Sequence, residues 1–205
     1  ASLRFCAPKT SARCLLLTRR ISGRFLKIRA SLFTESKDII CLKRCLIGMI
    51  NIRRVRAIIS EINYLSLATV SKDGKPWNAP VFCAYDRHYN FYWGSYRGSQ
   101  HSRNIRAKNE VFLVIYDSTI AAGKGEGVYI EAVATELKSP REIKFAHQLL
   151  QKRHKPASYW KLNQVHGNAP IRLYKAKPKR IWVNGEGAVD DTYIDTKTEV
   201  KPDLL

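Results

Sequence analysis

At 205 residues, 45% of them hydrophobic and 26% charged, the chain suffices for one domain with a substantial core, which excludes a disordered or fibrous class. The formal charge of +19 suggests anionic partners, but +9 of it falls in residues 1–48, where 11 lysines and arginines face only Glu35 and Asp38. No apolar run reaches the roughly 18–20 residues that span a bilayer, and the five cysteines lack the paired spacing of a disulfide framework or a zinc site, so membrane and metal roles are not expected.

Residues 1–48 show no hydrophobic period and are rich in arginine and serine. They read as a leader outside the fold, either sequence ahead of a start at Met49, the only methionine, or an organellar transit segment. Four of the cysteines lie there, which leaves Cys83 alone in a body expected to be cytoplasmic, or organellar if the leader is a transit segment. The run Ile50 to Ser60 predicts a short helix. Tyr64 to Val70 alternates apolar and small polar residues as a half-buried strand does, and Asp73-Gly74 marks the hairpin turn into a second strand over 77–85. Residues 86–90 turn the chain into a third strand at 91–94, and a polar helix runs from Ser99 to about Lys108.

The apolar run Val111 to Tyr116 predicts a strand buried on both faces. Gly123-Lys124-Gly125-Glu126-Gly127 lacks the ending of a phosphate-binding loop and reads as a connection into a strand over 127–137. Ser139, Pro140 and Glu142 carry the signals of a helix start, with that helix reaching about Lys152. A last strand covers 171–183, and residues 187–205 form a polar tail with a short strand signal at Tyr193-Ile194. The body, 49–186, thus has six closely spaced strands and no alternation of strand and helix. That predicts a mostly β fold: a six-stranded antiparallel barrel with short peripheral helices.

The stretch from Phe91 to Ile105 runs an aromatic strand into a helix start, where unpaired backbone N–H groups and the dipole favour an anion beside Ser99, His101 and Arg103. A capped surface helix with solvated basic residues gives the same pattern. Tyr92 and Trp93 point to opposite faces of their strand, so one is expected in the core and the other at a cleft. Cys83, inside an apolar strand, reads as a packing residue. Lys152 to Lys155 and Lys175 to Arg180, with Trp160, Tyr174 and Trp182 nearby, have the composition of a nucleic-acid surface; lysines guarding a strand edge are the favoured account.

The residues Gly74-Lys75-Pro76, Pro80-Val81, Phe91-Tyr92, Ser99 to Ile105 and Val111 to Val114 resemble the pyridoxamine 5′-phosphate oxidase-like superfamily of FMN-binding split barrels. The pattern Phe91-Tyr92-Trp93-Gly94, Gln100 to Ile105, Ile115 to Thr119 and Gly125 to Glu131 is similar to an uncharacterised subgroup. The resemblance implies a Greek-key split barrel, a homodimer, and FMN, or a deazaflavin in some branches, in a cleft at the subunit interface. It implies a flavin-dependent oxidoreductase acting on a small organic substrate, or a non-catalytic flavin or small-ligand carrier or sensor. The flavin ring would lie against Asn78, Ala79, Pro80 and Val81, flanked by Tyr92 and Trp93, with Ser99, Gln100, His101 and Arg103 at the phosphate. Asn78 and Gln100 stand where the oxidase has arginines and Gly127 where it has a glutamine. The oxidase's own C-terminal segment has no counterpart, so pyridoxamine-phosphate oxidation itself is not expected.

Overall fold

The computed structural model describes residues 36–121, 123–154, 160–189 and 192–205. In chain order these form α1 (Ser36–Glu61), β1 (Tyr64–Val70), β2 (Pro76–Phe82), β3 (Ala84–Tyr85), β4 (Phe91–Tyr96), α2 (Gln100–Ala107), β5 (Glu110–Tyr116), β6 (Gly127–Glu136), α3 (Pro140–Arg153), β7 (Ile171–Val189) and β8 (Thr192–Val200). Every strand pair is antiparallel, in the order β2-β1-β5-β6-β7-β4-β3, with β8 also on β7. β2 and β3 stand at opposite ends of that order yet are joined in sequence by Cys83 alone. The sheet must therefore curl until its ends approach, which makes a split barrel.

Strict alternation fills the barrel. Leu65 and Leu67 of β1, Val111, Leu113 and Ile115 of β5, Val128 and Ile130 of β6, and Ile181 and Val183 of β7 all point inward around Phe91 and Trp93. Each such side chain contributes about 1.5–3 kcal/mol on leaving water. Val55 and Ile59 of α1 and Ile105 of α2 join the same cluster. A second cluster lies outside the barrel wall, where Ile143, Ala146 and Leu150 of α3 cover Ala84, Tyr92 and Leu173. Arg153, the last residue of α3, donates from Nη2 to the carbonyls of Ile59 (2.7 Å) and Ile62 (2.6 Å), and so caps the end of α1.

Among the described residues eight strands form where the sequence reading has six. The second strand breaks at Cys83 into β2 and β3, and the segment read as a polar tail supplies most of a paired ribbon, because β7 continues to Val189 and β8 returns along it. The first helix begins at Ser36, well before Ile50, inside the segment read as a leader. On its side away from β6, β7 pairs with β4 up to Ala176 and with β8 from Ile181, so residues 177–180 keep an open edge there, and lysines guarding a strand edge still account for Lys177 to Arg180. Pro178 falls within that open stretch, beside a register shift opposite Glu131 and Ala132. Among the described residues no helix is long and apolar enough to cross a membrane.

Candidate ligand site

α2 begins on a cluster of hydroxyls. Ser99 is its N-cap, accepting from the Ser102 amide, and Ser99 Oγ donates to Ser102 Oγ at 2.9 Å. His101 Nε2 lies 3.0 Å from Ser99 Oγ and 2.7 Å from Ser95 Oγ. Burial pushes the His101 pKa below its ordinary value, so the ring is neutral at neutral pH and adds no positive charge to the helix start. Arg103 turns back, donating to the Gly98 carbonyl and, at 2.6 Å, to Gln100 Oε1. The amides of Gln100 and His101, in the first turn, have no acceptor within the helix.

From there a chain of hydrogen bonds leads to β2. Gln100 Nε2 donates to Asn104 Oδ1 (2.8 Å), Asn104 Nδ2 to Thr69 Oγ1 (3.0 Å), and Thr69 Oγ1 to the Trp77 carbonyl (3.4 Å). The two predicted segments, 78–81 and 99–103, are thereby tied through β1. The Cys83 amide donates to the Asn63 carbonyl at 2.9 Å, which fixes the phase of the β1–β2 ladder. Counting along the register, Val81, Ala79 and Trp77 exchange backbone bonds with β1, while Pro80, Asn78 and Pro76 turn theirs outward. β2 ends the sheet order, so that outer side carries the Asn78 N–H as the one donor between two prolines. The Asn78 side chain accepts from Ser66 Oγ at 3.0 Å. Ala79 and Val81 therefore have no backbone groups free for a ligand; Asn78 and the Pro80 carbonyl do.

Tyr92 and Trp93 depart from expectation. Both side chains are buried, at 3% and 0% exposure, and neither opens on a cleft. Trp93 stacks on Tyr174 inside the barrel with ring centroids 5.7 Å apart. Tyr92 takes the opposite face as predicted, but α3 covers that face, and its hydroxyl donates to Asp86 at 2.9 Å. Ser95, Ser102, Asn104 and Thr69 were not singled out in the sequence. Thr69 and Ser95 carried a signal: each is a polar residue at an inward position of an alternating strand, following Leu67 and Trp93 respectively.

At the other end of α2, a cavity of about 630 Å³ is lined by Arg106, Lys108, Glu136 and Lys138 among others. Its carboxylate is already engaged, Glu136 lying 3.3 Å from Arg106 and 3.4 Å from Arg172. Among the described residues no group of three or more His, Cys, Asp or Glu stands close enough to hold a metal ion.

Three solved structures share this barrel. HutZ, the heme storage protein from Vibrio cholerae, is 17% identical, with 64% of this chain and 92% of that chain covered at a TM-score of 0.55. The heme binding protein from Mycobacterium smegmatis is 16% identical (70% and 55% covered, TM-score 0.54), and ChuZ from Campylobacter jejuni is 14% identical (74% and 62%, TM-score 0.55). At these identities the likeness is one of fold. No curated protein matches the sequence. The family profile described as pyridoxamine 5′-phosphate oxidase matches residues 52–185, from the middle of α1 into the extension of β7. The chain therefore belongs to the pyridoxamine 5′-phosphate oxidase family.

Proposed function

We propose that the chain binds FMN and works as an FMN-dependent oxidoreductase on a small organic substrate. The observation that carries this reading is the chain of hydrogen bonds from the start of α2 to β2. It holds a set of anion-binding groups in fixed relation to an unpaired strand edge. Ser99, the first-turn amides of α2 and the Gln100 side chain would meet the phosphate, and the Asn78 N–H with the Pro80 carbonyl would address the ring edge. The first-turn amides and the second proton of Gln100 Nε2 fit a phosphate, and Ser99 Oγ would add a bond by turning its proton away from Ser102; all are neutral, and neutral bonds are about half as strong as charge-assisted ones. The bound cofactor supplies the hydride or electron transfer; the protein binds it, orients it and shields it.

A homodimer belongs to the same reading. On the outward face of β1, β5, β6 and β7, Ala68, Phe112, Val114, Tyr129 and Trp182 are only half-buried, and the helices pack elsewhere on the sheet. A second copy covering that face would close the cleft beside Asn78. The second reading is non-catalytic, the cleft holding flavin or another flat ligand for carriage or sensing. Two observations favour it: His101 is committed to Ser95 and Ser99, and two of the similar structures are a heme storage and a heme binding protein.

The test is to incubate the purified full chain with FMN, a deazaflavin or hemin in separate experiments, remove free ligand, and record visible spectra. Retained FMN that NADH or NADPH bleaches without oxygen is the expected result. Retained ligand that neither reductant changes selects the carrier reading, and a chain that retains neither flavin refutes the oxidoreductase.

A further inference from the structure

The free edges of β2, β3 and β8 are not alike. β2 is guarded by Pro76 and Pro80, and β3 is two residues long. β8 is nine residues long, has no proline from Thr192 to Lys201, and pairs only with β7. Beyond Val183, moreover, β7 has lost β6 as a neighbour, so residues 184–189 and 192–197 stand as a ribbon of two strands. Such a ribbon is marginal in water until a third strand joins it.

The charges on β8 indicate which strand would join. Asp195, Lys197 and Glu199 alternate in sign along one exposed face, and each is held in place within the chain. Asn184 Nδ2 donates to Asp195 Oδ1 at 2.6 Å, the Lys197 ammonium sits 4.5 Å from the centre of the Tyr129 ring, and Arg180 donates to both carboxylate oxygens of Glu199. When a strand pairs antiparallel with its own copy about a twofold axis, the central residue fixes every partner. Centring on Lys197 sets that lysine against itself and Asp195 against Glu199 of the second copy, both repulsive. Centring on Thr196 sets Asp195 against Lys197 of the second copy, twice by symmetry, and uses the strand from Thr192 to Val200 in full. Centring on Thr198 also matches opposite charges, Lys197 against Glu199, but leaves only residues 196–200 of the strand paired.

We infer that the free edge of β8 pairs antiparallel with β8 of a second copy of this chain, centred on Thr196, to make a continuous sheet β7-β8-β8-β7 across two molecules. This edge contact adjoins the sheet face that would enclose FMN, where Lys197 sits over the Tyr129 ring, but it does not rest on flavin binding.

The centre of symmetry supplies the test. Opposed residues of antiparallel strands have Cα atoms about 4.5–5.5 Å apart, within the range a disulfide spans. In the full chain under mild oxidation, Thr196→Cys should give a dimer linked between the two copies of position 196, identified by peptide mapping to separate it from links through the native cysteines. Thr198→Cys, which faces Ile194 of the second copy, should not link to itself. Charge reversal gives the second arm, with association followed by sedimentation. Asp195→Lys alone and Lys197→Asp alone should each weaken association about tenfold or more. The two changes together restore opposite charges across the axis and should recover most of the loss. No link at position 196, an equal link from Thr198→Cys, or a double variant as weak as the single ones would each overturn the inference. Linking at 196 in a chain that retains no flavin would sink the flavin proposal and leave this one standing; the converse result would do the reverse.

Discussion

Replacing Trp93 with phenylalanine separates a core role from a ligand-contacting one. The indole is fully buried and stacked on Tyr174, yet its Nε1 has no hydrogen-bond partner. Losing the larger ring removes about 40 Å³, which costs on the order of 1 kcal/mol for the cavity at about 24 cal/mol per Å³ and about as much again in lost apolar burial. Removing an orphaned buried donor returns about 1–3 kcal/mol. The two nearly cancel, so Trp93→Phe should lie within about 1 kcal/mol of the unaltered protein, a melting temperature changed by no more than a few degrees. Trp93→Ala, which leaves a cavity, should cost about 3–5 kcal/mol. Urea unfolding followed by far-ultraviolet circular dichroism reads both without relying on tryptophan fluorescence. A loss above about 2 kcal/mol in the phenylalanine variant would show that Nε1 has a partner in solution, a water or a ligand, and would refute the assignment of Trp93 to the core alone.

Three further outcomes are expected. In Ser99→Ala, FMN affinity should fall about tenfold while riboflavin affinity, which lacks the phosphate contribution, changes far less; equal losses in paired fluorescence titrations would detach Ser99 from the phosphate. Burial pushes the Cys83 thiol up to about 12, so at pH 8 an alkylating reagent should modify exposed Cys45 in the native protein and reach Cys83 only in urea, with mass mapping of labelled peptides as the check. Burial tends to raise the Asp86 pKa, but hydrogen bonds from Asn90, the His88 amide and Tyr92 outweigh it and hold the carboxyl below its ordinary value. Its contribution is complete above the unfolded pKa of about 3.9 and is lost as pH falls through the lower folded value. Asp86→Asn should therefore cost about 1–3 kcal/mol at pH 7, with a gap to the unaltered protein that narrows below about pH 4; a gap independent of pH would contradict the ionised role.

What was legible in the sequence follows the buried faces. The bounds of β1 are those the alternation predicts, because Leu65, Leu67 and Thr69 face a core while their neighbours do not. The start of α2 was equally plain, since Ser99 caps it in the expected way. β8 was reduced to Tyr193-Ile194 because a ribbon strand has almost no buried face to impose a period; among its described side chains Val200 alone is buried. The upstream half of α1 is missed for the same reason, with Leu42, Leu46, Ile47, Met49 and Ile50 all exposed. The covered state of Tyr92 could not be read locally. It depends on α3, which arrives from residues 140–153 to form a second layer over β4.

The same non-local logic bears on the basic strand. Lysines on an open edge repel an incoming strand, as Lys177 to Arg180 can between β4 and β8, but Lys175, Lys179 and Arg180 each also face a carboxylate: Glu142 at 4.0 Å, Glu110 at 3.4 Å and Glu199 at 2.9 Å. Such surface pairs contribute little to stability, roughly 0–1 kcal/mol each. Their effect is on the field instead. A nucleic-acid backbone needs an uninterrupted cationic track along which counterions can be released, and here the sign alternates within one side-chain length. Glu199 takes part twice, holding Arg180 within the chain and extending the alternation along β8 that makes that edge complementary to its own copy. The charge of β7 and β8 is thus better suited to a second copy of this chain than to a polyanion.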